Sequence, residues 1–263
     1  MRHFAWAAIA LFAWSPAMAA SSAWYDAQGA QIKLVVDDVP DKNGVLRGAI
    51  LVDLKPGWKT YWRDPGDAGV PPSLNISGSA NATDAVLHYP PPVRFDEAGA
   101  WSIGYKKPVA LAFTAQVQDT TKPVDLKTIV FLGVCKETCI PVQTEFELLT
   151  NPAVGMSEAD VSAAFAALPL PATADLRLTT AHLEGETLIV DADLPAPGAN
   201  AELFAASAHG WYLDVPLLES GPGGKPRFRI RVFERPKQAA GGEIAYTLIS
   251  NDRAVEGTFS LPE

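Results

Sequence analysis

Two cysteines stand four residues apart in the segment Val130 to Val142, VFLGVCKETCIPV. Cysteine is both a nucleophile and a soft metal ligand, so the pair admits three chemistries: reversible thiol–disulfide exchange, a structural bridge, or two-thiolate binding of copper or zinc. On one straight strand Cys135 and Cys139 would lie about 13 Å apart, beyond disulfide reach. A bridge therefore requires the polar insert Lys136, Glu137 and Thr138 to bend the chain into a hairpin turn. The ring so closed is small and removes little entropy from the unfolded chain, which makes stability a weak reason for it. Exchange with a partner thiolate at a strand end is a stronger reason. Lys136 favours a neighbouring thiolate and Glu137 opposes it. Metal binding has a thin supporting cast: His88, His182 and His209 are scattered, and Met156 is isolated from Met1 and Met18. Neither a cofactor nor a metal site is expected.

The other side chains that stand out are aromatic. Trp58, Tyr61 and Trp62 are interleaved with Lys59, Arg63 and Asp64 in KPGWKTYWRDPGDAGVPP, residues 55–72, which reads as a long loop. Trp101 and Tyr105 follow in WSIGYKKP. These rings either pack a loop against a sheet edge or border the cysteine hairpin as a cover or partner surface. Asp64 and Asp67 flank Pro65 and Gly66 and read as turn residues. No serine triad, nucleophile elbow, phosphate-cradling glycine loop or zinc-hydrolase helix accompanies them.

These residues must be held by β-structure. Gln31 to Asp37, Leu46 to Leu54, Ala85 to Tyr89, Val109 to Val117, Val124 to Leu132 and Thr144 to Leu149 have strand patterning. Asn151 to Pro171 carries the helix signals, with Ser157 as a cap and Val161, Phe165 and Leu168 on one face. Strand patterning resumes at Leu176 to Thr179, Thr187 to Ala192, Trp211 to Val215, Lys225 to Phe233, Ile244 to Ser250 and Ala254 to Phe259. The expected fold is all-β: an immunoglobulin-like β-sandwich over residues 20–150, a helical linker over 151–172 and a second β-sandwich-like domain over 173–263.

Residues 1–19 read as a signal peptide, with a basic start at Arg2, an apolar run from Phe4 to Trp14 and the small-residue pattern Ala17, Met18, Ala19. No other apolar run approaches bilayer length, so no membrane span is expected after signal cleavage. The 263-residue chain has a formal charge of −9, which excludes nucleic acid as a natural partner.

Four motifs occur in order: GWKTYWRDPGDAGVPPSL from Gly57 to Leu74, YPPPVRF from Tyr89 to Phe95, IGY from Ile103 to Tyr105, and VCKETCIP from Val134 to Pro141. Together they resemble the N-terminal periplasmic domain of the DsbD/ScsB family of thiol:disulfide interchange proteins. The resemblance covers residues 25–150, and the remainder looks like the second β domain of the ScsB-like branch. It implies an immunoglobulin-like domain in the periplasm that accepts electrons from a partner dithiol and passes them to oxidised proteins. Cys135 and Cys139 match the exchanging pair, with Cys139 assigned as the partner-reactive thiol and Cys135 as the resolving one. Trp58, Tyr61, Trp62, Trp101 and Tyr105 become the active-site cover or partner surface. The pair is more tightly spaced than in DsbD N-terminal domains. Family members also continue into a membrane electron conduit and a thioredoxin-like domain. Neither is found before Glu263, so the resemblance implies a protein-disulfide reductase component that depends on a separate membrane thiol reductase or thioredoxin-like protein as donor. Two other functions compete: a non-catalytic periplasmic protein-binding module with a structural disulfide, and a copper-binding protein.

Overall fold

The computed structural model of the chain describes residues 20–66, 69–97, 100–153, 159–195, 200–206, 211–235 and 243–260. The expected signal peptide, the helix cap at Ser157, Met156 and His209 lie outside the described residues. The described residues are almost entirely β, with mainly antiparallel sheets and the helix α1 (Ala159–Ala166).

Before the helix come β1 (Tyr25–Ala27), β2 (Ala30–Val36), β3 (Val45–Leu54), β4 (Thr60–Gly66), β5 (Ser73–Asn75), β6 (Ala82–His88), β7 (Val93–Glu97), β8 (Ala100–Tyr105), β9 (Val109–Val117), β10 (Asp125–Cys135) and β11 (Cys139–Leu149). They form a sheet in the order β1-β2-β3-β9-β6, a second sheet β11-β10-β5 and a small sheet β4-β8-β7. One buried core draws Leu34, Ile50 and Phe113 from the first sheet and Leu126, Leu132 and Phe146 from the second, the signature of a sandwich.

The central strands β2, β3 and β9 read as almost unbroken apolar runs because both of their faces are covered. Leu34 and Ile50 point into the sandwich, whereas Val35, Ala49 and Ala112 point outward onto Val161 and Ala164 of α1. The expected helix face is present, with Phe165 and Leu168 packed beside that contact. A segment read from sequence as a linker thus packs against the first sheet.

After the helix follow β12 (Leu170–Pro171), β13 (Arg177–Glu184), β14 (Thr187–Asp193), β15 (Ala201–Ala205), β16 (Tyr212–Leu213), β17 (Leu217–Ser220), β18 (Pro226–Glu234), β19 (Glu243–Ser250) and β20 (Arg253–Ser260). Their sheets run β12-β20-β19-β15 and β13-β14-β18-β16, with β17 also on β18. A second core gathers Leu188, Val190, Phe228, Ile230, Ile244 and Leu248. Among the described residues, strands on either side of residue 150 pair only within their own half. Side chains do cross: on β15 Leu203 enters the second core, and its neighbour Phe204 is fully buried in the first.

The segment 55–72 departs from its reading as a loop, because Thr60–Gly66 is strand β4, paired with β8. Its Asp, Pro and Gly content hides a strand whose pattern is carried by the adjacent rings of Tyr61 and Trp62. The register slips between Tyr61 and Gly66, which accommodates the Asp64, Pro65, Gly66 stretch as an irregularity.

Candidate redox site

The β10–β11 ladder pairs residues from Asp125↔Leu149 through to Cys135↔Cys139, so the cysteines are the last opposed pair before the turn. Lys136, Glu137 and Thr138 make that turn, closed by the Lys136 N–H donating to the Thr138 carbonyl at 3.3 Å. The Cα atoms of Cys135 and Cys139 stand 4.1 Å apart and their sulfurs are joined in a disulfide. The polar insert bends the chain as the bridge requires.

The two halves of the bridge are not equivalent. Cys135 is 1% exposed, and Cys139 is exposed. Cys135 is held on both edges: opposite Cys139 on one side, and on the other by reciprocal 2.9 Å backbone hydrogen bonds with Lys59 at the entry to β4. One residue on, the buried Thr60 hydroxyl donates to the Gly133 carbonyl at 2.8 Å. These bonds dock β4 along the end of β10.

Docking of β4 delivers Tyr61. Its hydroxyl lies 3.1 Å from Cys139 Sγ. A disulfide sulfur carries no hydrogen, so Tyr61 is the donor. Burial pushes the Tyr61 phenol above its ordinary range, which keeps that proton in place near neutral pH. Tyr61, Phe95 and Cys135 form a small buried cluster, with the two rings 6.5 Å apart. The Lys59 and Lys106 ammonium groups lie 5.3 and 4.9 Å from the centre of the Phe95 ring. Burial first, and then the charge of Lys106, lowers the Lys59 pKa. The Phe95 ring that joins the Tyr61 and Cys135 cluster thus carries two lysine ammonium groups.

Glycines set how closely these strands approach. A Cβ at Gly133 would come within 2.9 Å of Val70 and 3.3 Å of the Tyr61 ring, and at Gly104 of β8 it would run into the Thr60 carbonyl. Both positions let Tyr61 settle against backbone.

Of the five aromatics singled out in sequence, Tyr61 touches the pair. Trp58 lies over Gly29 and packs, half-buried, against the first core. Trp62 points the other way from Tyr61, fully buried and edge-on to Phe204 at 6.2 Å. Trp101 is 43% exposed and walls a cleft of about 210 Å³ with Arg94, Trp211 and Tyr212. Tyr105 is buried and donates to the Pro90 carbonyl at 2.9 Å. Phe95 and Lys106 escaped the sequence reading as site residues, although both lie within or beside motifs it quoted. Their roles come from β7 and β8 stacking onto β4, which the sequence pattern leaves open. Among the described residues no three His, Cys, Asp or Glu side chains are grouped to hold a metal ion, and no helix is long and apolar enough to cross a membrane.

Fold and site together define an immunoglobulin-like all-β protein with a disulfide at the tip of a core hairpin, its exposed cysteine under a tyrosine. Residues 32–151 match the family described as thiol:disulfide interchange protein DsbD, N-terminal, and this segment, which holds both cysteines, Tyr61 and Phe95, is a domain of that family. The chain is also similar to the crystal structure of the N-terminal periplasmic domain of ScsB from Proteus mirabilis, with a TM-score of 0.75 and 21% sequence identity over 94% of this chain and 100% of that one. That likeness extends the shared fold into the second half. Comparison with curated protein sequences gives no match.

Proposed function

We propose that this protein is a periplasmic thiol:disulfide exchange component that accepts electrons from a partner dithiol and passes them to oxidised proteins through Cys135 and Cys139. The observation that carries the reading is the asymmetry of the bridge: an exposed Cys139 bonded to a buried Cys135 whose backbone is held on both sides.

Charging begins when a partner thiolate attacks Cys139 Sγ. A bond forms between the partner's sulfur and Cys139, the Cys135–Cys139 bond breaks, and the electron pair leaves on Cys135 Sγ. The partner's second thiolate then attacks its own first sulfur, forming the partner's disulfide and releasing Cys139 as thiolate. Two electrons and, on protonation, two protons have moved. Discharge runs in reverse: Cys139 attacks an oxidised substrate, and Cys135 resolves the mixed disulfide by attacking Cys139 Sγ. Tyr61 donates to the Cys139 sulfur and stabilises it as thiolate. Lys59 and Lys106, over the Phe95 ring of the Cys135 cluster, add positive charge to that side of the site.

The donor is a membrane thiol reductase or a thioredoxin-like protein, and the substrates are oxidised periplasmic proteins. Residues 20–150 are the exchanging unit, 151–172 join it to the second, and 173–263 form the second β unit.

The first test is the reduction potential of the pair, from equilibration with defined thiol buffers and thiol trapping. A value between roughly −180 and −270 mV is expected, and one below about −300 mV would make the bridge structural and sink the proposal. The order of attack is tested with single variants. Reduced Cys135→Ser, mixed with a thioredoxin-like protein in its oxidised disulfide form, is expected to accumulate a mixed disulfide as Cys139 attacks the partner's bridge and displaces its second sulfur as thiolate, and Cys139→Ser to accumulate little, read as mass on non-reducing analysis. Equal trapping by both variants would remove the assigned order.

A further inference from the structure

The same two strands that cover the disulfide are gripped on their opposite face by the second half of the chain. On β4, Tyr61 faces Cys139 while Trp62 meets Phe204 edge-on at 6.2 Å. On β7, Phe95 joins the Tyr61 and Cys135 cluster. Its neighbour Arg94 donates to the Leu203 carbonyl at 3.0 Å and stacks its guanidinium over the Phe204 ring at 4.6 Å. Adjacent residues on a strand point to opposite faces, so the link from cover to brace is one peptide long on each strand. Phe204 is fully buried in the first core, although its strand pairs with β19 of the second half.

We propose that Phe204 is a positioning residue for the disulfide: inserted from β15, it fixes β4 and β7 so that Tyr61 and Phe95 stay packed on the bridge and narrow the approach of a thiolate to the exposed Cys139. The second half is thereby a brace that sets the exchange rate. This inference rests on the exchange reading for its biological meaning, but its physical content is the accessibility of the bridge. A buried ring that contacts both cover strands resists their separation from the hairpin, and removing it lowers the free energy of a local opening that leaves the two cores folded. Arg94 acts in the same way through the β15 backbone.

The experiment compares the rate at which dithiothreitol reduces the bridge in the full chain and in four variants, each first shown to melt cooperatively. Phe204→Ala is expected to react about tenfold faster than the parent, because the opening it eases widens the approach to the Cys139 sulfur. Phe204→Leu, which keeps most of the volume, falls between the two, and Arg94→Gln is also faster. The control is Phe228→Ala, which removes a fully buried ring from the second core without touching β4 or β7. It is expected to lose stability and keep the parental rate. A parental rate in Phe204→Leu and Arg94→Gln overturns the brace even if Phe204→Ala does not fold. Equal acceleration by Phe228→Ala overturns it too, since global destabilisation would then be the cause. Failure of the exchange reading looks different: a thioredoxin-like donor would leave the parental bridge oxidised while the dithiothreitol rates still ranked as above.

Discussion

The side chain hydrogen-bonded to the disulfide is that of Tyr61. Its hydroxyl reaches Cys139 Sγ at 3.1 Å, and burial keeps the phenol protonated well past neutral pH. In the reduced protein the same donor is expected to stabilise the Cys139 thiolate over the thiol. A hydrogen bond to a charged group contributes about 1.5 to 3 kcal/mol, so Tyr61→Phe is expected to raise the Cys139 thiol pKa by about 1 to 2 units. Below that pKa, alkylation by iodoacetamide slows about tenfold or more, since the thiolate is the reactive form. The check is the pH profile of alkylation in a Cys135→Ser background, with and without the tyrosine change. An unchanged profile would mean that Tyr61 covers the sulfur without tuning it.

Among elements, the β10–β11 hairpin and β4 are fitted to each other at glycine. The Tyr61 ring lies on Gly133, where an added Cβ would sit 2.9 Å from Val70 and 3.3 Å from the ring. Gly133→Val leaves no room for β4 to dock, and overpacking of this kind costs about 1 to 3 kcal/mol. The expected result is a lower urea midpoint together with faster reduction of the bridge by a small thiol. A lower midpoint at the parental rate would show that the core absorbs the strain before the cover does. β4 also shows where sequence patterning fails. Its residues TYWRDPG combine two large rings with turn formers, and periodicity counts the turn formers, whereas pairing with β8 decides the conformation. Val109–Val117, an apolar run at the middle of the first sheet, carried no such conflict and has its sequence-read bounds.

At the level of the whole molecule, Arg63 joins the two halves beside two buried phenols. It pairs with Glu256 at 3.6 Å and lies 4.9 and 5.2 Å from the Trp62 and Tyr89 rings. Burial pushes Tyr89 up to about 12 and Tyr105 well above its ordinary range; their hydroxyls donate to the Pro72 and Pro90 carbonyls. A phenol raised in the folded state gives stability that is fully present below its unfolded pKa near 10 and is lost as pH rises through the folded value. Lys59, lowered chiefly by burial, works weakly in the opposite direction. The net expectation is a urea midpoint that falls steeply between pH 10 and 12, with a shallower fall in Tyr89→Phe and Tyr105→Phe. Equal slopes in parent and variants would place the alkaline weakness elsewhere.

The sequence by itself determined the strand-rich character, the helix face of Val161 and Phe165, and the cysteine pair at a bend, because each is a local pattern of two to ten residues. It also carried the ordered motifs that mark the domain family. Tertiary structure alone decided which aromatics reach the sulfur. Trp58, Tyr61 and Trp62 look equivalent in a linear reading, yet pairing with β8 turns Tyr61 toward Cys139 and Trp62 away into the core. The unequal exposure of Cys135 and Cys139 follows from the extra bridge to Lys59, 76 residues earlier in number than Cys135. Phe204 lies further still, and its entry into the first core depends on how the two halves meet, a contact between distant segments that no local pattern encodes.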